Sequence, residues 1–214
     1  MRLCIILLLS QIFLFPLGLM AQDDFKPLKD PATFEKKVKE ITDITKTIHC
    51  DFVQEKTLSF LNDPIVTKGV FYFQKEDKIR WEYEEPFSYV IVLNGGKLLI
   101  DDNGNQNEMD LSNNQTFKEV NSMLTRTLQG DILTKDERFS YDLFENKEFV
   151  MVRLVPTTDT FKAYIKAIKV YFDKKDMMVA RVDMLEGEDL TKITFQNREI
   201  NVKLAQNLFQ TTGR

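Results

Sequence analysis

From Cys50 onward the chain alternates apolar and polar residues with a period of two, in short runs cut by turn signals. No other feature restricts the fold as much. The first runs are 50–58, 66–75, 78–84, 87–94, 97–102 and 105–110. They are separated by Asn62-Asp63-Pro64, Glu76-Asp77, Glu85-Pro86, Asn94-Gly95-Gly96 and Asp102-Asn103-Gly104-Asn105. Successive side chains of a strand point to opposite faces, so each run reads as a half-buried strand, and connections this short join antiparallel neighbours. The rhythm resumes at 138–145, 148–155, 164–173, 177–186 and 190–199. A sheet of about eleven strands must curl or fold over to bury one face. The expected class is therefore mainly β with α: a curved antiparallel sheet, a half-closed and incomplete β-barrel, covered by helices. A two-sheet sandwich is the competing arrangement.

Two segments carry helical spacing instead. Residues 30–48 place Phe34, Val38, Ile41, Ile44 (or Thr45) and Ile48 on one stripe, opposite Lys36, Lys37, Lys39, Glu40 and Asp43. Asp30 is suited to cap this helix and Pro31 to its first position. Residues 114–129 repeat the spacing with Phe117, Val120, Met123 (or Leu124), Thr127 and Leu128, and Gly130 can end the helix. Each stripe can be ordinary packing on the sheet or the inner side of a lid over a cavity. The tail with Leu204, Leu208 and Phe209 is apolar enough to dock.

The N-terminus reads as a secretory signal peptide. Arg2 precedes an apolar run from Leu3 to Phe15, broken by Pro16 and Gly18, with Ala21 as the small residue at the cut. That run is shorter than the roughly 20 residues of a spanning helix. Removal of residues 1–21 leaves 22–214, a length that suits one domain. Cys4 leaves with the leader and does not sit at the cut. The mature chain is then expected to lack a lipid-bearing first cysteine, and Cys50 to be an inert, buried thiol.

A net charge of −4 gives no footprint for nucleic acid and disfavours an anionic membrane surface. His49 is the only histidine, and no His/Cys cluster has metal-ligand spacing. No nucleophile elbow or phosphate-binding glycine loop occurs. Glu84 and Glu85 are adjacent, so on a strand they face opposite ways. Residues 101–105 lack the frame of a calcium loop and read as a hairpin turn. The expectation is a protein that is not an enzyme and uses no metal or cofactor.

What the strands do offer is an aromatic face. Ile79, Trp81 and Tyr83 alternate with Lys78, Arg80, Glu82 and Glu84. Phe71 and Phe73 share one face of the preceding strand; Phe52 begins the strand before it, and Phe87, Tyr89, Ile91 and Leu93 extend the one after. Seventeen phenylalanines supply much rigid apolar area. By alternation alone this face is core or a wall for a nonpolar guest.

The run Phe52-Val53-Gln54, Gly69-Val70-Phe71-Tyr72-Phe73, Ile79-Arg80-Trp81-Glu82-Tyr83, Glu85-Pro86 and Asn94-Gly95 with Lys97-Leu98 resembles the N-terminal half of the LolA-type outer-membrane lipoprotein carriers. The specific likeness covers about residues 34–102. It implies a half-barrel whose concave side holds lipoprotein acyl chains, loaded by an inner-membrane transporter and unloaded to an outer-membrane acceptor. It further implies a periplasmic monomer, with Ile79, Trp81 and Ile91 lining the cavity. The wall as a whole would be Phe52, Phe71, Phe73, Ile79, Trp81, Tyr83, Tyr89, Ile91 and Leu93. The lids would carry Phe34, Val38, Ile41, Phe117, Val120, Met123 and Leu124. The family has an Arg-Pro before the Arg-Trp strand, its arginine latching the lid. Here Lys75-Glu76 stands there, and Lys75 keeps the charge without the planar fork. The same half-barrel carrying or sensing another envelope lipid is the alternative.

Overall fold

The computed structural model describes residues 24–75, 78–113 and 138–210. The expected leader, the second expected helix with Phe117, Val120, Met123 and Leu124, and Glu76 lie outside the described residues.

The elements in chain order are β1 (Lys26–Pro27), α1 (Pro31–Ile44), β2 (Thr47–Thr57), β3 (Ile65–Gln74), β4 (Lys78–Glu85), β5 (Tyr89–Asn94), β6 (Lys97–Asp102), β7 (Asn105–Asp110), β8 (Phe139–Glu145), β9 (Phe149–Pro156), α2 (Asp159–Lys162), β10 (Ala167–Asp173), β11 (Val179–Glu186) and β12 (Asp189–Ile200). The strands form one antiparallel sheet in the order β1-β8-β9-β10-β11-β12-β2-β3-β4-β5-β6-β7, with β1 and β7 as open edges. All eleven expected strands are present and belong to a single sheet, which removes the sandwich. β1, two residues pairing Lys26 with Glu145 and Pro27 with Phe144, is additional.

Short turns explain the meander. Asn103-Gly104 joins β6 to β7 with φ of 51° and 92°, the left-handed pair that a two-residue hairpin requires, and Asp101 Oδ1 accepts from the Gly104 N–H at 2.7 Å. The two halves of the sheet meet where β12 pairs with β2.

Helix α1 starts as expected. Asp30 accepts from the Thr33 N–H at 3.0 Å, and Pro31 follows the cap. It ends earlier than its stripe suggested. Thr45 is already extended (ψ 119°), its hydroxyl donating to the Ile41 carbonyl at 2.7 Å, and Ile48 belongs to β2. Thr45, Thr47 and Ile48 are β-branched and favour a strand once the helix is capped. Likewise β5 begins at Tyr89, because the turn through Pro86 takes up Phe87, which stays 54% exposed.

The inner face of the sheet carries two joined apolar clusters. One gathers Ile48, Cys50, Phe52, Phe71, Phe73, Ile79, Leu93 and Phe195; the other sets Phe34 and Val38 of α1 on Val150, Val152, Ile168, Val170 and Phe172. A third cluster lies on the outer face. There the C-terminal tail lays Phe209 on Val90, Val92 and Leu99, held by hydrogen bonds from Asn94 Nδ2 to the Phe209 carbonyl (2.9 Å) and from Arg80 Nη1 to the Leu208 carbonyl (3.4 Å).

Candidate functional site

The inner face centres on Trp81. Its ring packs on Phe52 (centroids 4.7 Å apart), Phe71 (5.1 Å) and Phe195 (6.1 Å), in tilted and edge geometries that suit aromatic quadrupoles. Gly69, in register with both Phe52 and Tyr83, carries no side chain, and the Phe52 and Tyr83 rings meet edge to face at 5.2 Å. Of the nine expected wall residues, Phe52, Phe71, Phe73, Ile79 and Leu93 are buried, while Trp81, Tyr83, Tyr89 and Ile91 are half-buried on the same face. The Trp81 indole N–H is buried without a well-formed hydrogen bond, although the Tyr83 hydroxyl stands close enough to feel it. Burial pushes the Tyr83 phenol up despite its hydrogen bond to Gln54 Oε1 at 3.2 Å.

Between α1 and the sheet lies a cavity of about 40 Å³. Val38, Ile41, Thr42 and Thr45 form its roof; Ile48, Cys50, Phe71, Phe172 and Phe195 form its floor; Met177, Met178, Val179, Arg198 and Ile200 close its side. Two expected lid residues, Val38 and Ile41, therefore meet one expected wall residue, Phe71. The other eight continue the apolar face away from this cavity. Cys50 lies in β2 with its thiol buried, and burial pushes it up to about 12, with Asp51 adding to the shift and Arg198 opposing it. Such a thiol is inert.

Sequence reasoning missed Phe172, Phe195, Met177, Met178 and Arg198. The first two follow their strands' alternation and were readable as inner-face residues. Arg198 was not, because a bulge between Gln196 and Glu199, with Asn197 at φ 49°, shifts the alternation of β12 and turns Arg198 toward the cavity.

Lys75 ties the turn after β3 to the end of α1. Its Nζ donates to the Asp43 carbonyl at 2.9 Å, and its backbone N–H to the Lys46 carbonyl at 2.8 Å. The ammonium makes one exposed bond, so Lys75→Met should cost at most about 1 kcal/mol globally. Its effect should concentrate in faster amide exchange over the last turn of α1; unchanged exchange there would refute the tether.

Among the described residues, no group of three His, Cys, Asp or Glu side chains is placed to hold a metal ion, and no helix is long and apolar enough to cross a membrane.

An open, curved antiparallel sheet with an apolar inner face roofed by a helix defines a half-barrel of the lipoprotein-carrier class. The chain belongs to the family described as outer membrane lipoprotein carrier protein LolA, which it matches over residues 43–212. It is 25% identical over 182 residues to an outer-membrane lipoprotein carrier protein of Methylococcus capsulatus, covering 83% of each chain. Among solved structures, it resembles an uncharacterized conserved protein from Thermus thermophilus (TM-score 0.50, 10% identity, 83% of this chain and 90% of that one). It also resembles a LolA superfamily protein from Nitrosomonas europaea (TM-score 0.43, 11% identity, 83% and 96%).

Proposed function

We propose that this protein is a periplasmic carrier that binds the acyl chains of lipoproteins against its inner face and passes them from an inner-membrane transporter to an outer-membrane acceptor. The observation that carries this reading is the continuous aromatic and aliphatic face from Phe195 through Phe52, Phe71 and Trp81 to Leu93, in a chain of the lipoprotein-carrier family. Burial of an acyl chain is worth about 0.8 kcal/mol per methylene. A wall of rings provides that area without demanding one ligand shape. Release then needs only an acceptor that binds the same chains better, so the protein works as a carrier and not as an enzyme.

The leader ending at Ala21 would export the chain, and a shuttle of this kind works as a monomer. Lys75, in place of the family's arginine, ties α1 by a single hydrogen bond to a carbonyl. That weaker tether favours, as a second reading, a carrier of another envelope lipid on the same face.

Trp81 is the one tryptophan, so its emission reports this face alone. Titration of the mature protein with a triacylated tripeptide should shift the emission, and lipids recovered with the purified protein should be acylated. Poor competition by free fatty acid selects the lipoprotein reading; strong competition selects the second. Absence of both a co-purifying lipid and an emission response would leave the aromatic face as core alone.

A further inference from the structure

A second concavity runs along the other flank of α1. This groove of about 390 Å³ has Leu28, Phe34, Val150 and Met177 as its apolar lining, and Lys29, Asp30, Lys37 and the Lys174–Glu145 ion pair (2.6 Å) supply its charged groups. The inner cavity, at about 40 Å³, has room for roughly one water. Met177 lines both spaces.

Met177 is held there by its turn. It sits at φ 57°, a conformation that side chains with a Cβ rarely adopt, and its N–H donates to the Asp173 carbonyl at 2.8 Å. The neighbouring Met178 N–H donates to Asp176 Oδ1 at 2.9 Å. Arg198, 13% exposed, clamps this turn from β12. Its Nη2 donates to Asp173 Oδ2 (3.1 Å) and Asp176 Oδ2 (2.9 Å), and its Nη1 donates to the Met178 carbonyl (3.3 Å). Bonds from a guanidinium to two carboxylates are the strong kind. The bulge in β12 that aims Arg198 inward is thus tied to the turn that carries Met177, while Phe34 of the groove and Phe172 of the cavity meet edge to face at 5.3 Å.

We propose that the groove and the inner cavity are two halves of one acyl-chain channel beneath α1, with Met177 as the partition and Arg198, gripping Asp173 and Asp176, as the clamp that keeps it shut. Methionine is unbranched and flexible, so it can swing aside without repacking the strands. Joined, the two spaces fall in the range of about 300–1,000 Å³ typical of ligand sites. The acyl ligand rests on the carrier reading; the gate itself does not.

Cys50, on the cavity floor, is a built-in reporter. With Cys4→Ser in the full chain, Cys50 is the one thiol, and its alkylation by iodoacetamide under native conditions reads the opening of the cavity. Arg198→Gln and Asp176→Asn should each speed labelling about tenfold or more, the expected result of losing a charge-assisted bond that resists local opening. Met177→Ala should do the same with the clamp intact, whereas Met177→Leu should label near the wild-type rate. Asp176→Asn, on a more exposed partner, serves if Arg198→Gln does not fold. Unchanged labelling in Met177→Ala and Asp176→Asn, or a rise no larger than the measured loss of global stability predicts, would overturn the gate. Protection of Cys50 by the triacylated peptide tests the ligand separately. If the peptide fails to protect while the variants still label faster, the carrier reading falls and the gate stands.

Discussion

Gly69→Ala is expected to lower the unfolding free energy by about 3 kcal/mol or more, with a drop in Tm of about 6–12 °C for a chain of this size. A Cβ at this position would overlap the Glu82 carbonyl oxygen and stand 2.9 Å from Tyr83 Cα. Both obstacles are backbone of β4, fixed by the ladder that pairs β3 with β4, so no side chain can rotate away to relieve them. The register shifts between Lys68 and Gly69, next to this close approach. The alternative to strain is a parting of the two strands directly beside Tyr83 and near Trp81. Urea unfolding followed by Trp81 emission would therefore show a lower midpoint and an altered native spectrum. A midpoint within about 0.5 kcal/mol of wild type would mean that the strands separate freely here.

Phe71→Ala should cost about 3–5 kcal/mol. The ring is 1% exposed, packs on Trp81 and Phe195, and forms part of the floor of the inner cavity. Its removal leaves a void beside Trp81, Phe195 and Phe172, rings anchored in three strands that cannot collapse inward without breaking register. Phe87→Ala is the natural comparison. Phe87 stacks loosely on Tyr83 at 6.4 Å but is 54% exposed, and its loss should stay within about 0.5 kcal/mol. Equal losses for the two variants in urea titrations would contradict the assignment of Phe71 to the core.

The difference between these two phenylalanines also marks what could be read from the sequence. Alternation placed Phe71 on the inner face because strands impose a period of two on anything they bury. The same logic extended the next strand to Phe87, where a proline turn, and not a strand, governs the backbone. Eleven strands were legible for this reason, together with the N-terminal cap of α1 and the inner face. β1 was not, since two residues carry no period. Arg198 was hidden by the bulge, whose left-handed Asn197 breaks the alternation that would have announced the side chain's direction. The burial of Val90, Val92 and Leu99 on the outer face depends on where the tail crosses, and local pattern has no access to that.

The seam between β2 and β12 has a consequence for how the chain reaches this shape. Asp51 and Asn197 bond across it although 146 positions separate them. Every strand of the first half is tied to the second half through this pairing, and the last strand to be synthesised closes it. Pairings so distant in sequence are slow to find, because the closure entropy is spent before the contacts return anything. The nascent chain therefore lacks its central seam until β12 has been made. Until then β2 presents a row of unpaired backbone groups on its open side, a template that any other strand can reach first.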